Sequence, residues 1–140
     1  MINSRKIEDL LPDVAVKARE FKALALTNGI DVLITSTYRD FESQNALYAQ
    51  GRTTPGAIVT KAKGGYSWHN YRVAFDVVPV VNGKAVWSTS GPNLAVWLKL
   101  GQLGKFIGLE WAGDWVSFKE YPHFQYTQGK SLEELRKKSL

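Results

Sequence analysis

The first part of the chain carries apolar side chains at the spacing of an amphipathic helix. We predict this helix over residues 13–28, with Asp13 as its N-cap and Gly29 at its end. The apolar positions that share its inner face are Val14, Ala18, Phe21 and Ala25. Residues 31–37 follow as a run of apolar and β-branched side chains, which predicts a strand.

The next segment combines a short helix with a long loop. Asp40 can cap a second helix through Gln50, and Gly51 follows at its C-terminus. Residues 52–66 contain one proline and three glycines, a composition that predicts a loop. Loops of this length inside a compact domain are commonly functional, so this segment is a candidate part of a site.

Two β-hairpins are predicted in the second half of the chain. Residues 73–87 hold two β-rich runs around Asn82-Gly83, a strong hairpin signal. The aromatic-rich residues 109–126 predict a second hairpin, with a turn at residues 113–114 and strands at residues 116–118 and 123–126.

Two further helices complete the pattern. Pro92 opens a third helix that runs to about Phe106, although Gly101 and Gly104 weaken its second half. Near the end of the chain, a serine and a glutamate at positions 131 and 134 match the capping box of a short terminal helix. Helices before and between antiparallel hairpins predict an α+β domain with a small antiparallel sheet.

Composition and charge limit the classes of partner without choosing one. The chain of 140 residues is typical of one domain, and 44% apolar with 22% charged residues is ordinary for a globular protein. Lys and Arg number 18 against 13 Asp and Glu, which gives a net charge of +5 and a pI of about 9.5. A positive charge favours nucleic acid, acidic lipid or an anionic cell-wall polymer.

Absent residue types and segments exclude several functions. The chain has no cysteine, which excludes disulfides, cysteine nucleophiles and thiolate metal sites. Residues 1–11 lack a long apolar run after a basic start, so we expect no signal peptide and synthesis in a cytoplasm. No apolar stretch approaches the ~20 residues that span a bilayer, so we expect no stable membrane insertion.

The candidate chemistry lies in two short segments that hold both histidines. His69 and Asp76 are in one segment, and Glu120 and His123 are in the other. Two imidazoles and one carboxylate can hold a catalytic zinc and leave a fourth position for water, which a second carboxylate can deprotonate. Asp76 lies in an apolar run, where an unpaired carboxylate is costly to bury.

The local sequence leaves the metal site open. His69 and Asp76 would face opposite sides of one continuous strand, so His69 must precede the strand in a turn. Pro122 disfavours a helix around Glu120 and His123. A single histidine is more often an ordinary surface or core residue than a ligand, so the residues alone favour neither interpretation.

The motifs around these residues resemble a family of zinc peptidases. The patterns Ser67-x-His69-x(6)-Asp76 and Glu120-x-x-His123 are similar to those of peptidases that cut peptidoglycan peptides, namely D-Ala-D-Ala carboxypeptidases and the L-alanyl-D-glutamate endopeptidases of phage endolysins and bacilli. The resemblance covers about residues 31–126 and is nearest to the endopeptidases. Further similar stretches are residues 38–39, 44–52, 55–60, 62–65, 113–115 and 117–124.

The resemblance implies a role for each candidate residue. The implied ligands of one zinc ion per chain are His69, Asp76 and His123, the implied catalytic acid/base is Glu120, the implied oxyanion donor is Arg39, and the implied substrate-binding residues are Ser67 and Gln44. Without the resemblance, Arg39 would be interpreted as a surface arginine. Ser67 would bind near the metal or substrate, and Gln44 would help line the cleft.

Three positions depart from the usual pattern of the family. Arg72 stands where glycine is usual, and positive φ there would cost a non-glycine residue about 1 kcal/mol. Glu120 replaces an aspartate that is common in the endopeptidases, and Gln125 stands where an acidic residue often follows His-Phe. None of these changes removes an implied ligand.

The resemblance also implies a fold and a reaction. We expect a D-Ala-D-Ala carboxypeptidase/Hedgehog-like fold with the zinc site at the sheet face, one peptidase domain over residues 1–140 and no separate cell-wall-binding domain. The expected reaction is hydrolysis of an amide in the peptidoglycan stem peptide, at the L-alanyl-D-glutamate bond, causing bacterial lysis. We expect a monomer that acts on the wall after release and binds no nucleic acid.

Three alternatives remain at this point. A D,D- or L,D-carboxypeptidase of the same fold would need a closed pocket for a terminal carboxylate, which no local pattern reveals. A non-catalytic wall-binding module would be expected to lose Glu120 or a ligand, and neither is lost. A nucleic-acid binder would suit the charge, but the chain has no basic-aromatic motif to support it.

Overall fold

A computed structural model describes residues 1–139, in which helices flank one antiparallel sheet. The helices are α1 (Pro12–Thr27), α2 (Phe41–Ala49), α3 (Pro92–Phe106) and α4 (Leu132–Lys138). The strands are β1 (Asp31–Ser36), β2 (Ala74–Val81), β3 (Lys84–Ala85), β4 (Glu110–Trp111) and β5 (His123–Gln125). Single 3-10 turns occur at Ile7–Asp9, Trp68–Tyr71 and Ala112–Asp114. The predicted α+β class with a small antiparallel sheet is confirmed.

Strand β2 lies at the centre of the sheet and fixes the relative positions of the others. The strand order is β1-β2-β5-β4, and β3 pairs with the far end of β2. The register places Asp76 of β2 opposite Ser36 of β1 on one side and His123 of β5 on the other. Strand β1 contains a bulge between Ile34 and Ser36, and bulges of this kind re-aim nearby side chains at functional sites.

The core lies between the sheet and the helices α1 and α3. Phe21 of α1 packs on Phe124 of β5 with ring centroids 4.7 Å apart, and both side chains are fully buried. Helix α3 approaches the sheet closely because Gly101 and Gly104 face it. A Cβ on Gly104 would lie 2.5 Å from the Phe124 ring, so these glycines allow the contact rather than end the helix.

The predicted helix ends and turns agree with the structure in most places. Asp40 accepts a hydrogen bond from the Ser43 amide at 2.8 Å and caps α2. Asn82 and Gly83 both have positive φ, as the tight β2–β3 turn requires. Asp13 was predicted as the cap of α1, but the N-cap is Leu11, because Pro12 occupies the first helical position.

The predicted second hairpin is wrong in its connection. Strands β4 and β5 do pair, but residues 113–114 belong to a 3-10 turn rather than to a hairpin turn. Residues 116–118 form no strand, and the side chain of Val116 is fully exposed. Their β-favouring side chains have no strand to pair with, because the segment leaves the sheet and runs along the cleft described below.

Within residues 1–139, every helix falls short of the length and apolarity needed to cross a membrane.

Candidate active site

A 3-10 turn places His69 beside the central strand. Ser67 caps this turn by accepting a hydrogen bond from the His69 amide at 3.3 Å. The side-chain oxygen of Asn70 accepts from the amides of Gly65 and Ser67 at 3.0 and 3.2 Å. These bonds hold the turn rigidly, and the His69 side chain is buried at the floor of the cleft.

Arg72 ends this turn in the left-handed conformation, with φ of 64°. Arg72 therefore does adopt the positive φ that is costly for a residue other than glycine. Its guanidinium donates to the carbonyl of Asp9 at 2.7 Å and lies 3.7 Å from the ring centre of Tyr38. A bond to a charged donor and a cation–π contact each contribute free energy comparable to the strain of about 1 kcal/mol, so they offset it.

The two neighbouring strands bring the other two predicted ligands to the same point. One carboxylate oxygen of Asp76, Oδ1, lies 3.2 Å from His69 Nε2 and 3.2 Å from His123 Nδ1. The three donor atoms lie within 4.8 Å of one another, so they can share one ion. Two imidazole nitrogens and one carboxylate oxygen are a donor set that protein metal sites use.

Backbone and side-chain acceptors fix which nitrogen of each imidazole faces this point. The carbonyl of Thr37 lies 2.8 Å from His69 Nδ1 and can only accept, so Nδ1 carries the proton and Nε2 presents a lone pair. On His123 the oxygen of the Gln125 amide lies 2.8 Å from Nε2.

The orientation of the Gln125 amide is itself determined by Glu110. The amide nitrogen of Gln125 donates to the Glu110 carboxylate at 3.2 Å, so its oxygen must face His123. His123 therefore carries its proton on Nε2, and its Nδ1 points toward Asp76. The Thr127 hydroxyl also donates to Glu110 and completes the chain. With both lone pairs directed at Asp76, the residues present fit a divalent metal ion.

The charges of the site shift the pKa values of its members. Burial alone would raise the pKa of Asp76, but without a bound metal the protonated imidazoles of His69 and His123 outweigh it and hold this pKa well below its usual range. Burial raises the pKa of Glu120 above its ordinary value. Burial would lower the pKa of His123, but its contacts with Asp76 raise it instead.

Glu120 stands beside the three donors without belonging to their group. Its carboxylate lies 3.7 Å from His123 Nδ1, and its side chain is 41% exposed toward the cleft. Its backbone amide donates to the carbonyl of Ala112 at 3.1 Å, and the indole of Trp111 donates to the Tyr121 carbonyl at 2.8 Å. These bonds fix the loop and hold the Glu120 carboxylate beside the three donor atoms.

Arg39 approaches the same site from the end of β1. Its guanidinium donates to Gln44 at 2.8 Å and to Ser36 at 3.1 Å. Burial lowers the pKa of Arg39, while Asp76 and Glu120 oppose this shift. The backbone amide of Arg39 also donates to the His69 carbonyl at 3.1 Å, which couples this cation to the histidine turn.

The two predicted substrate-binding residues lie in different environments. Ser67 lines the cleft, although its hydroxyl also serves as the cap of the histidine turn. Gln44 was predicted to help line the cleft, but it is fully buried and lies outside the cleft lining. Its side-chain amide lies behind the cleft wall. The amide oxygen accepts a hydrogen bond from Arg39, and the amide nitrogen donates to the Ala62 carbonyl at 2.6 Å.

Together these elements form a cleft of about 440 Å³. Its walls carry mainly aromatic and aliphatic side chains, and its floor carries the polar cluster, an arrangement typical of a binding site. The large apolar and aromatic wall residues are Leu47, Val59, Tyr66, Trp68, Trp115, Phe118 and Leu132. Sequence reasoning did not identify Thr37, Glu110 or the orienting role of Gln125, although the unusual glutamine after His-Phe was a signal.

Comparison with known proteins agrees with this geometry. The sequence profile described as D-alanyl-D-alanine carboxypeptidase matches residues 60–126, which contain the three donors and Glu120. The peptidoglycan L-alanyl-D-glutamate endopeptidase CwlK of Bacillus subtilis (strain 168) is 43% identical over 122 residues, covering 84% of this chain and 73% of that protein. The L-alanyl-D-glutamate peptidase of Listeria phage A118 is 31% identical, covering 86% of this chain and 39% of that protein.

Solved structures share the fold at lower identity. The L-Ala D-Glu endopeptidase ChiX of Serratia marcescens superposes with a TM-score of 0.62 at 20% identity, covering 90% of this chain and 89% of that chain. The LD-carboxypeptidase LdcB superposes with a TM-score of 0.66 at 17% identity, covering 94% of this chain and 65% of that chain. The chain is thus a peptidase, and it belongs to the family of peptidoglycan peptidases that includes D-alanyl-D-alanine carboxypeptidases and L-alanyl-D-glutamate endopeptidases.

Proposed function

We propose that this protein is a zinc-dependent endopeptidase that hydrolyses the L-alanyl-D-glutamate bond of the peptidoglycan stem peptide. The observation that carries the proposal is the convergence of His69 Nε2, Asp76 Oδ1 and His123 Nδ1 next to the carboxylate of Glu120. A zinc ion held by these three atoms would supply a Lewis acid that polarises the scissile carbonyl and acidifies water.

The remaining steps belong to side chains of the chain itself. Glu120 takes a proton from the attacking water, whose oxygen forms a bond to the carbonyl carbon. The C–N bond then breaks, and Glu120 passes the proton to the leaving amine, so that the proton balance closes. The raised pKa of Glu120 suits a group that must accept and then return a proton. Arg39 faces the oxygen on which negative charge develops and stabilises it.

The identity of the bond is supported by the relatives rather than by the fold. Two relatives, at 43% and 31% identity, are named for the L-alanyl-D-glutamate bond. The carboxypeptidase LdcB shares the fold at only 17% identity. The endopeptidase is therefore favoured over the D,D- and L,D-carboxypeptidases. One of the relatives comes from a phage and the other from a bacterium, and we propose the endolysin role for this chain, with lysis of the host wall.

Mass spectrometry of digested peptidoglycan tests the bond directly. Purified wall from a Gram-negative bacterium is incubated with the zinc-loaded protein, and the new N-terminal residues are identified. New N-terminal D-glutamate is the expected result, whereas release of a terminal D-alanine alone would overturn the bond in favour of a carboxypeptidase. Metal analysis of the same sample should give about one zinc per chain, because the three donors form one site.

A further inference from the structure

The cleft contains a second cation whose role the reaction leaves unassigned. Lys61 lines the cleft from the loop that follows α2. Its ammonium lies 3.5 Å from the Ser117 hydroxyl and 4.7 Å from the centre of the Phe118 ring. None of the ion pairs found among residues 1–139 involves Lys61. An ammonium has three N–H donors, so at least two remain for a ligand.

The backbone on both sides of Lys61 is held in place. The carbonyl of Ala62 accepts from the buried Gln44 amide at 2.6 Å, and the Ala62 amide donates to the Thr60 hydroxyl at 3.1 Å. Because Gln44 also binds Arg39, the position of Lys61 is fixed relative to the cation that faces the reacting carbonyl. The loop therefore presents a charge at a defined place in the cleft.

Phe118 holds the opposite side of this contact in an unusual conformation. Its φ is 53°, in a region that bulky side chains rarely adopt. Such strain persists where surrounding contacts enforce it and is concentrated at ligand sites. Here the strained residue carries its ring to the cleft wall beneath the ammonium of Lys61, which defines a small subsite.

This subsite lies on the side of the leaving amine. Glu120 must face that amine in order to return the proton, and Ser117 and Phe118 precede it on the same loop. In the proposed reaction Lys61, which contacts both residues, would therefore face the part of the substrate that follows the scissile bond. In peptidoglycan stems, glutamate continues the chain through its side-chain carboxyl. Its α-carboxyl group consequently lies next to the scissile nitrogen, as a free acid or as a carboxamide.

We propose that Lys61 binds this α-carboxylate and makes the enzyme selective for stems with free D-glutamate over stems in which it is amidated. The inference rests on the proposed cleavage of the L-alanyl-D-glutamate bond. A hydrogen bond between an ammonium and a carboxylate is charge-assisted, and a neutral carboxamide forms a weaker one. The contact involves a group that does not react, so it acts on KM more than on kcat.

Two synthetic peptides test the proposal, L-Ala-γ-D-Glu-L-Lys and its α-carboxamide counterpart. The zinc-loaded protein should cleave the acid with a kcat/KM roughly 10-fold higher, on the scale expected for a charged hydrogen bond. Lys61→Gln should remove the preference through a higher KM for the acid, and Lys61→Arg should restore much of it. Lys63→Gln is the matched control, because Lys63 is an exposed lysine of the same loop that does not line the cleft.

The outcomes separate this subsite from the proposed function. Equal cleavage of the two peptides by the unmodified protein would overturn the subsite alone, as would a preference that survives in Lys61→Gln. A similar loss of preference in Lys63→Gln would show that the preference depends on the general charge of the loop, and it would also overturn the subsite. If neither peptide is cut after L-alanine while purified wall is digested, the bond itself is wrong and the subsite falls with it.

Discussion

The ring of His123 donates to the side-chain oxygen of Gln125 at 2.8 Å, and the Gln125 amide nitrogen donates in turn to the Glu110 carboxylate. A surface carboxylate therefore sets the proton position of a predicted metal ligand through a buried amide. In this chain a neutral side chain therefore contacts His123, and the carboxylate that orients it lies behind it.

Exchanging these two side chains should be tolerated better than either change alone. Gln125→Glu would place two carboxylates in contact and lower the free energy of unfolding by about 1–3 kcal/mol. Gln125→Glu combined with Glu110→Gln restores an acceptor for His123 and a donor for the new carboxylate, so stability and zinc affinity should largely recover. Thermal unfolding and zinc titration of the three variants measure this. Equal losses in the single and double variants would refute the relay.

Glu120→Gln should separate catalysis from metal binding. The amide keeps the size of the side chain but cannot accept the proton, so the lytic rate should fall roughly 10²–10⁴-fold while zinc content remains. His69→Ala, Asp76→Ala and His123→Ala should instead lose zinc. Rates and metal content measured on the same preparations decide the point, and loss of zinc in Glu120→Gln would make Glu120 a ligand.

Replacing Arg39 should reduce both the rate and the stability. Arg39→Ala should lower kcat on the order of 10²-fold, as removal of an oxyanion donor does. The same change leaves the buried oxygen of Gln44 without its donor, which costs about 1–3 kcal/mol of unfolding free energy. Arg39→Ala with Gln44→Leu should regain part of this stability but not kcat, because leucine removes the unpaired oxygen but also removes the donor of the Ala62 carbonyl. Recovery of kcat in that double variant would show that Arg39 is structural.

The stabilising effect of zinc should increase as the pH rises above about 6.5, the ordinary pKa of histidine. In the metal-free protein the pKa of His123 is raised, so its stabilising contribution is present below about 6.5 and is lost as the pH rises through the folded value. The lowered pKa of Asp76 contributes stability above about 3.9 that is lost on acidification. Zinc binding requires neutral imidazoles, so it becomes more favourable as the histidines lose their protons. Melting temperatures with and without zinc check this trend, which a constant difference would contradict.

Patterns of local origin were predictable from the sequence, and contacts of tertiary origin were not. The Asn82-Gly83 turn and the Ser131 cap follow from short motifs whose geometry is local. The burial of Gln44 depends on elements distant in the chain, so no local sequence pattern indicated that Gln44 lies outside the cleft wall. The acceptor for His69 is the backbone carbonyl of Thr37, a group that every residue carries.

The prediction of a hairpin turn between β4 and β5 was wrong for a related reason. Residues 115–118 combine aromatic and β-branched side chains, which favour strands in general. In this chain the Trp115 ring instead lies 5.4 Å from that of His123, and the Phe118 ring lies at the cleft wall. A composition that usually indicates a sheet here supplies a binding surface, and sequence periodicity does not separate the two.

The glycines of α3 limit how the protein can be engineered for heat resistance. Replacing a helix glycine by alanine commonly raises stability by up to about 1 kcal/mol. A methyl group on Gly101 would lie 2.4 Å from the ring of Trp111, and one on Gly104 would press on Phe124, whose strand neighbour is His123. The methyl groups would push on the strand that carries His123 and displace the active site, which outweighs the usual gain in helix propensity. Thermostable variants are therefore better sought outside this helix.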